Sequence, residues 1–291
     1  MGVLLLFIDG IGLGDDEPAT NPFARASLDR LRLLRGRPSP DPGAILIPTD
    51  ACMGVAGLPQ SATGLTSILC GENAPAAVGR HINGHCTPSL AALLDGRSLF
   101  SRVRAAGGRP TFANAYTPGY LERLPRFISV STTAVRQAGL RFRTLEDLAR
   151  GQAVFHDFTH RLLIDQGHAA RPATPAESGQ NLARLTAAHD FTMYEHFLTD
   201  LAGHAQEMDR AVAILENLER FLDALLESLD LSIHTVVLAS DHGNLEDLST
   251  NRHTINPVPT LLWGAGARAL SPSIQGLADL APAILRELRV V

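Results

Sequence analysis
The sequence predicts an α/β fold, and three features predict it. Residues 2–8 and 234–239 are short apolar runs that end abruptly in polar residues, Asp9 in one case and Ser240, Asp241 and His242 in the other. Runs of that length bounded by polar or turn residues read as buried strands rather than helices. Between them lie longer stretches with apolar residues at helical spacing, above all 207–229, where Ala211, Leu215, Leu218, Leu222 and Leu225 share one side. Strands alternating with such helices make an α/β sheet, and 291 residues suffice for one large domain or a core with a smaller insert.

Composition narrows the function classes. The formal charge is −5 and the pI about 6.1. Nucleic acid or an anionic membrane held by bulk electrostatics is therefore excluded as a partner. No apolar run approaches the roughly 18 residues of a membrane span, and the opening run lacks the basic flank of a signal peptide. Cys52, Cys70 and Cys86 are too few for a disulfide framework, which points to a reducing cytoplasm.

Taken in order, the first strand (2–8) delivers Asp9 to a carboxyl-terminal strand end, where ligands of α/β sheets collect. The glycines that follow do not have dinucleotide spacing, and Asp15, Asp16, Glu17 and Pro18 replace the helix a phosphate loop requires. A helix is expected over 21–34, a Pro/Gly-rich loop over 36–43 and a strand over 44–48. At 57–71 a loop opens into a helix with Ser61 and Thr63 near its first turn. Ser61 reads either as a helix cap or as a hydroxyl nucleophile whose phosphorylated form the helix amides stabilise. Arg80, His81 and His85 sit in the next loop and, with Thr63, are candidates to line a substrate pocket.

A helix near 96–106 and a strand at 110–116 follow. Residues 118–172 then read as a small insert or cap between two core segments, 1–117 and 173–291. The insert carries Arg123, Arg126, Arg136, Arg141, Arg143 and Arg150, which form a solvated face or, in part, a substrate-anion site. Asp157 and His160 are spaced i, i+3 on an expected helix and read as a structural hydrogen-bonded pair. After a helix at 175–189, a strand from 190 leads to Asp200, with His204 four residues on. The 207–229 helix, the 234–239 strand with Asp241 and His242, a loop bearing His253, a further strand and a helix at 276–288 complete the chain.

Asp9, Asp200, His204, Asp241, His242 and His253 are thus metal-type ligands, most of them at or near strand ends, and Ser61 is a hydroxyl at a helix start. Two divalent ions, Mn or Zn by ligand type, account for their number. Such a pair clamps a phosphoryl group, so a small phosphorylated substrate is expected.

Five motifs in this order resemble the alkaline phosphatase superfamily: Asp9-Gly, Gln60-Ser-Ala-Thr-Gly, Asp200-x-x-x-His, Ser240-Asp-His-Gly-Asn and His253-Thr-x-x-Pro-Val-Pro. Within it the chain is most similar to cofactor-independent, archaeal-type phosphoglycerate mutases and to phosphopentomutases. Residues 73–88 and 112–118 also resemble a shorter branch described only as metalloenzymes. The resemblance implies a three-layer sandwich with a mostly parallel central sheet and a small inserted cap. It implies one metal on Asp9, Ser61, Asp241 and His242, and the other on Asp200, His204 and His253, with Ser61 phosphorylated. Phosphoglycerate mutases carry a much larger insert, so the short one here favours hydrolysis of a small phosphate ester over phosphomutase action. Sulfatases of the superfamily require Cys-x-Pro-x-Arg, which Cys52-Met-Gly-Val-Ala does not supply. A catalytically silent metal-binding member is the remaining alternative, and an intact Ser61 argues against it.

Overall fold
A computed structural model describes residues 1–122 and 128–290, so Arg123 and Arg126 lie outside the described residues. Its main sheet comprises β1 (Val3–Ile8), β2 (Ile45–Thr49), β3 (Pro110–Phe112), β6 (Phe191–His196), β7 (Thr235–Ala239) and β8 (Val258–Gly264) in the order β2-β8-β7-β1-β6-β3. β4 (Ala115–Tyr116) and β5 (Arg143–Thr144) form a separate parallel pair. The main sheet is parallel except for β8, which runs against both β7 and β2. β1 lies at its centre, parallel to β6 and β7. Both faces of β1 are covered and every residue in it is buried, which is why its sequence is continuously apolar rather than alternating.

Three layers result. Leu5 and Phe7 of β1 pack on one side with Leu65 and Ile68 of α1 (Ser61–Cys70), Leu90 of α2 (Pro88–Leu94) and Phe100 of α3 (Leu99–Ala105). Val135 of α4 (Val130–Gln137) also joins that side. Leu4, Leu6 and Ile8 pack on the other side with Leu182 of α5 (Pro175–Ala187) and with Leu215 and Phe221 of α7 (Met208–Ser228). α6 (Leu198–Ala205) joins β6 to α7, and α8 (Leu280–Glu287) closes the first layer. Each large apolar side chain so buried contributes roughly 1.5–3 kcal/mol.

Residues 118–172 are divided between two environments. α4 packs Val130 and Ala134 into the same cluster as Phe100, whereas Leu148, Ala153, Phe155 and Leu163 form a small cluster of their own with Ala115.

Two local expectations fail for physical reasons. Residues 21–34 are helical only at Pro22–Arg25. Beyond that, the carboxylate of Glu219 accepts the backbone N–H groups of Asp29, Arg30 and Leu31, replacing intrahelical bonds with a long-range anchor. Asp157 and His160 are not a side-chain pair on a helix. Asp157 accepts from Thr159 and from the Leu162 backbone, while His160 precedes the helix Arg161–Asp165 in a left-handed conformation, φ 63°, and bonds the Arg171 carbonyl through Nδ1.

Candidate metal centre and active site
The site forms because the register pairs Ile8 with His196 and Phe7 with Ala239, so the chain leaves β1, β6 and β7 side by side. Asp9 follows β1 directly, Asp241 and His242 follow β7, and β6 leads into α6, which carries Asp200 and His204 one turn apart. Asp200 therefore belongs to a helix rather than to the strand end expected for it.

α1 brings Ser61 from the neighbouring layer. Its cap is Gln60, which makes no side-chain capping bond, and Ser61 is the first helical residue. The cap reading of Ser61 is thus excluded, and its hydroxyl is engaged elsewhere. Ser61 Oγ lies 2.9 Å from His242 Nε2 and 3.4 Å from the Asn83 side-chain oxygen. α1 reaches this position because residue 64 is glycine: a Cβ there would lie 2.7 Å from the Asp241 Cβ and 2.9 Å from its backbone oxygen. Gly10, at φ +70°, likewise leaves room for Asp200, whose Oδ1 would lie 2.7 Å from an added Cβ.

Donor atoms converge at two points. About His242 Nε2 lie Ser61 Oγ, Asp9 Oδ1 at 3.2 Å and Asp241 Oδ2 at 3.6 Å. About Asp200 lie His204 Nε2 at 3.4 Å and His253 Nε2 at 3.7 Å. Donor atoms of Asp200, His204 and His253 lie within 4.8 Å of one another, as do those of Asp9, Asp200 and His242, so Asp200 stands between the two groups. The rings of His242 and His253 stack at 3.6 Å.

The donor set fits divalent metal. His204 and His253 each direct Nδ1 at a backbone carbonyl, of Asn251 at 2.8 Å and Pro59 at 2.9 Å. A carbonyl only accepts, so Nδ1 of each ring carries a proton and Nε2 is the atom turned inward. These two nitrogens face each other at 3.2 Å. Two imidazole nitrogens beside the Asp200 carboxylate make a donor set that could hold a cation, with ring orientation fixed from behind as in metal-binding imidazoles. Asp9 Oδ1 and Asp241 Oδ2 are buried without a hydrogen-bond partner, which leaves both carboxylate oxygens available to an ion.

Electrostatics tell the same story. Burial works against the charged form of His242, but the Asp241, Asp9 and Asp200 carboxylates outweigh it and raise the group to about 10. Burial, reinforced by repulsion from Asp9, pushes Asp241 and Asp200 above the usual carboxylate range. Burial and the neighbouring His242 lower His253 to about 4. Clustered carboxylates that resist ionisation and an imidazole forced to carry charge mark a place that calls for positive charge.

A cavity of about 600 Å³ opens onto Asp9, Ser61, Asp200 and Asp241. Of the residues expected to touch substrate, His85 lies on its wall. Thr63 is fully buried and accepts the Ile82 N–H at 3.2 Å, which ties the 80–86 loop to α1. His81 bonds the Val55 carbonyl and Arg80 is exposed, and neither lines the cavity. That loop sets His85, itself exposed, at the cavity wall and leaves Arg80 away from it.

Three residues at the site escaped sequence reasoning. Asn244 donates to Asp200 Oδ1 at 2.6 Å. Glu195 lies on the cavity wall, accepts from Ser131 Oγ at 2.6 Å, and is raised to about 7 chiefly by burial and by Asp9. Glu246, 2% exposed, accepts the Gly12 and Asn244 N–H groups on one oxygen and the side chains of Thr254 and Asn256 on the other. Asn244 was legible within Ser240-Asp-His-Gly-Asn. The two glutamates match no motif: Ser131 is far from Glu195 in sequence, and Glu246 joins its near neighbours Asn244, Thr254 and Asn256 to the distant Gly12.

Comparison with known proteins adds to this geometry. Residues 173–291 match the model of the Metalloenzyme superfamily. The 2,3-bisphosphoglycerate-independent phosphoglycerate mutase of Paracoccus denitrificans is 30% identical over 120 residues, covering 39% of this chain and 24% of the relative. That of Dinoroseobacter shibae is 31% identical over 125 residues, covering 40% and 24%. The chain thus spans about a quarter of the length of these relatives. In fold, a Pyrococcus horikoshii protein aligns with a TM-score of 0.61 at 14% identity, over 100% of this chain and 97% of its own. Thermus thermophilus alkaline phosphatase aligns with a TM-score of 0.59 at 14% identity, over 99% and 91%. Residues 173–291 thus match the Metalloenzyme superfamily model, and the whole chain shares its fold with the alkaline phosphatase of Thermus thermophilus.

Proposed function
We propose that the protein is a di-metal phosphoryl-transfer enzyme with Ser61 as nucleophile, hydrolysing a small phosphate ester. The observation that carries this reading is the position of Ser61 Oγ, 2.9 Å from His242 Nε2, beside two converging groups of ligands. Asp200, His204 and His253 would hold one ion, and Asp9, Asp241, His242 and Ser61 the other. When bound, the ions supply charge neutralisation for the phosphoryl group and a more acidic serine hydroxyl.

The chain's own contribution is positional. Ser61 stands at the first position of α1, where the N-terminal amides and helix dipole favour the negative charge of a phosphoryl group. Attack forms the bond from Ser61 Oγ to phosphorus and breaks the bond to the alcohol, leaving phosphoserine for water to resolve. Residues from the 118–172 stretch, including Tyr120, Thr132 and His156, line the cavity over Ser61, consistent with a cap that contacts the organic part of the substrate.

Phosphomutase action is the second reading, favoured by the names of the sequence relatives. It requires the phosphoserine to be kept from water while one substrate hydroxyl replaces another. Free thiols at Cys52, Cys70 and Cys86 support a reducing, cytoplasmic setting. Among the described residues no helix is long and apolar enough to cross a membrane.

Metal analysis and phosphate-ester turnover of wild type and Ser61→Ala test the proposal. Bound divalent metal with turnover reduced at least about a thousandfold in the variant is expected for loss of a nucleophile. A protein that takes up no metal, or a variant as active as wild type, would remove the basis for the reading.

A further inference from the structure
We infer that the organic part of the substrate is an uncharged alcohol bearing an aromatic or heteroaromatic ring, with no second anion beyond the phosphate. This rests on the phosphoryl-transfer reading of Ser61 and follows from the size, charge and surface of the adjoining cavity.

The volume of about 600 Å³ falls within the range of roughly 300–1,000 Å³ that encloses a drug-sized ligand. A phosphorylated three-carbon acid would leave much of that space unfilled. Charge argues in the same direction. Asp9, Asp200 and Asp241 on the wall belong to the metal groups, Glu195 is a further carboxylate beyond them, and among the described residues lining the cavity there is no arginine. A substrate carboxylate buried here would need a guanidinium or equivalent donors to offset its desolvation. The described arginines of the 118–172 stretch are committed elsewhere where partners are seen. Arg141 holds both oxygens of Asp147, Arg143 bonds Thr111 Oγ1 and the Gln152 carbonyl, and Arg150 pairs with Glu146.

The surface offers rings and neutral hydroxyls instead. Tyr116 contacts Tyr120 at a centroid distance of 5.4 Å, and His156 stacks on Phe197 at 4.3 Å with the planes 27° apart. All four line the cavity. Beside them, Tyr116 Oη meets Thr132 Oγ1 at 2.9 Å, Thr132 meets Ser129 at 2.8 Å, Ser129 meets Ser131 at 3.0 Å, and Ser131 donates to Glu195. A hydroxyl row anchored on a carboxylate spends its protons within the row and presents oxygen lone pairs. Such a wall receives N–H and O–H groups of a neutral ring substituent and repels an anion.

The test uses the full chain loaded with Mn or Zn and three esters: 2-phenylethyl phosphate, butyl phosphate and 3-phosphoglycerate. The first two have primary alkyl leaving groups, so their ratio reports recognition rather than leaving-group reactivity. Phosphate release and phosphoryl migration are followed together. The ring ester is expected to exceed butyl phosphate about tenfold or more in kcat/KM, mostly through KM, and to exceed 3-phosphoglycerate further. In Tyr120→Leu and Phe197→Leu the ring-to-butyl ratio is expected to fall about three- to tenfold, the worth of one aromatic contact. A wild-type ratio near one, or preferential turnover or isomerisation of 3-phosphoglycerate, overturns the inference and leaves phosphoryl transfer standing. No turnover of any ester by protein with both metals bound would instead overturn the phosphoryl-transfer reading.

Discussion

At the scale of single residues, Glu246 governs more of the site than its position in sequence suggests. One of its oxygens holds the Gly12 N–H, in the loop after Asp9, and the Asn244 N–H, beside Asp241 and His242. Its other oxygen holds Thr254 and Asn256, beside His253. Three loops that bear candidate ligands therefore meet on one buried carboxylate. Glu246→Ala would strand these donors, each at a cost of about 1–3 kcal/mol where no water replaces the carboxylate. We expect a lower thermal midpoint and a 10- to 100-fold loss of metal affinity by calorimetric titration. Glu246→Gln, which keeps two acceptor lone pairs but turns an NH₂ toward one pair of donors, should fall between the two. Unchanged metal affinity in Glu246→Ala would show that the loops hold themselves.

His156 makes a second prediction at this scale. Burial lowers it from 6.5 to about 4, with a smaller contribution from His196. An imidazole whose folded-state pKa is depressed contributes stability that is complete above the unfolded value and is lost as pH falls toward the folded one. The window is thus pH 6.5 to about 4, and the loss is on the order of 3 kcal/mol. Denaturant midpoints measured across that window should fall less steeply in His156→Gln than in wild type. Parallel slopes in the two proteins would show that His156 does not set the acid limb.

At the scale of elements, the approach of α1 to β7 fixes the distance from Ser61 to His242. A Cβ at residue 64 would meet the Cβ and backbone of Asp241, neither of which is the movable end of a long side chain. Gly64→Ala must therefore shift α1 outward and carry Ser61 with it. Turnover should fall on the order of 100-fold, while bound metal on the Asp200, His204 and His253 side remains. Equal activity in Gly64→Ala would mean that the contact is relieved without moving Ser61.

The same element explains what sequence could and could not reveal. β1 and β7 were legible because a strand buried on both faces must be continuously apolar, and their ends carried Asp9, Asp241 and His242 with them. α1 was legible as a helix, but its cap was not: Gln60 rather than Ser61 takes that place, and only the partner His242, far along the chain, shows why. The failed helix at 21–34 has a similar cause. Its local propensity is helical, and Glu219 of α7 overrides it by accepting successive backbone N–H groups. Residues whose role depends on a strand end or a motif were visible, whereas Glu195 and Glu219 act through partners that only the fold brings near, and Glu246 reaches Gly12 in the same way.

At the scale of the whole molecule, stability and site are one problem. Asp9, Asp200 and Asp241 come from three different parts of the chain, and folding forces them together against their mutual repulsion. The layers on either side of β1 supply the driving force, but the carboxylates oppose closure of the strand ends. Bound cations would turn that opposition into attraction across all three loops. Each site filled at a hundred times its dissociation constant adds about 2.7 kcal/mol, because the unfolded chain presents no such arrangement. For a chain of this size, 1 kcal/mol corresponds to about 2–4 °C, so chelation should lower the thermal midpoint by roughly 5–10 °C for each site emptied. Scans of chelated protein titrated with Mn or Zn should recover the midpoint in a concentration-dependent way. His204→Ala, which removes a ligand from one group only, should retain part of that recovery. Loss of all metal response in this variant would show that Asp200 couples the two groups into a single binding unit, and no response in wild type would remove the case for metal at the strand ends.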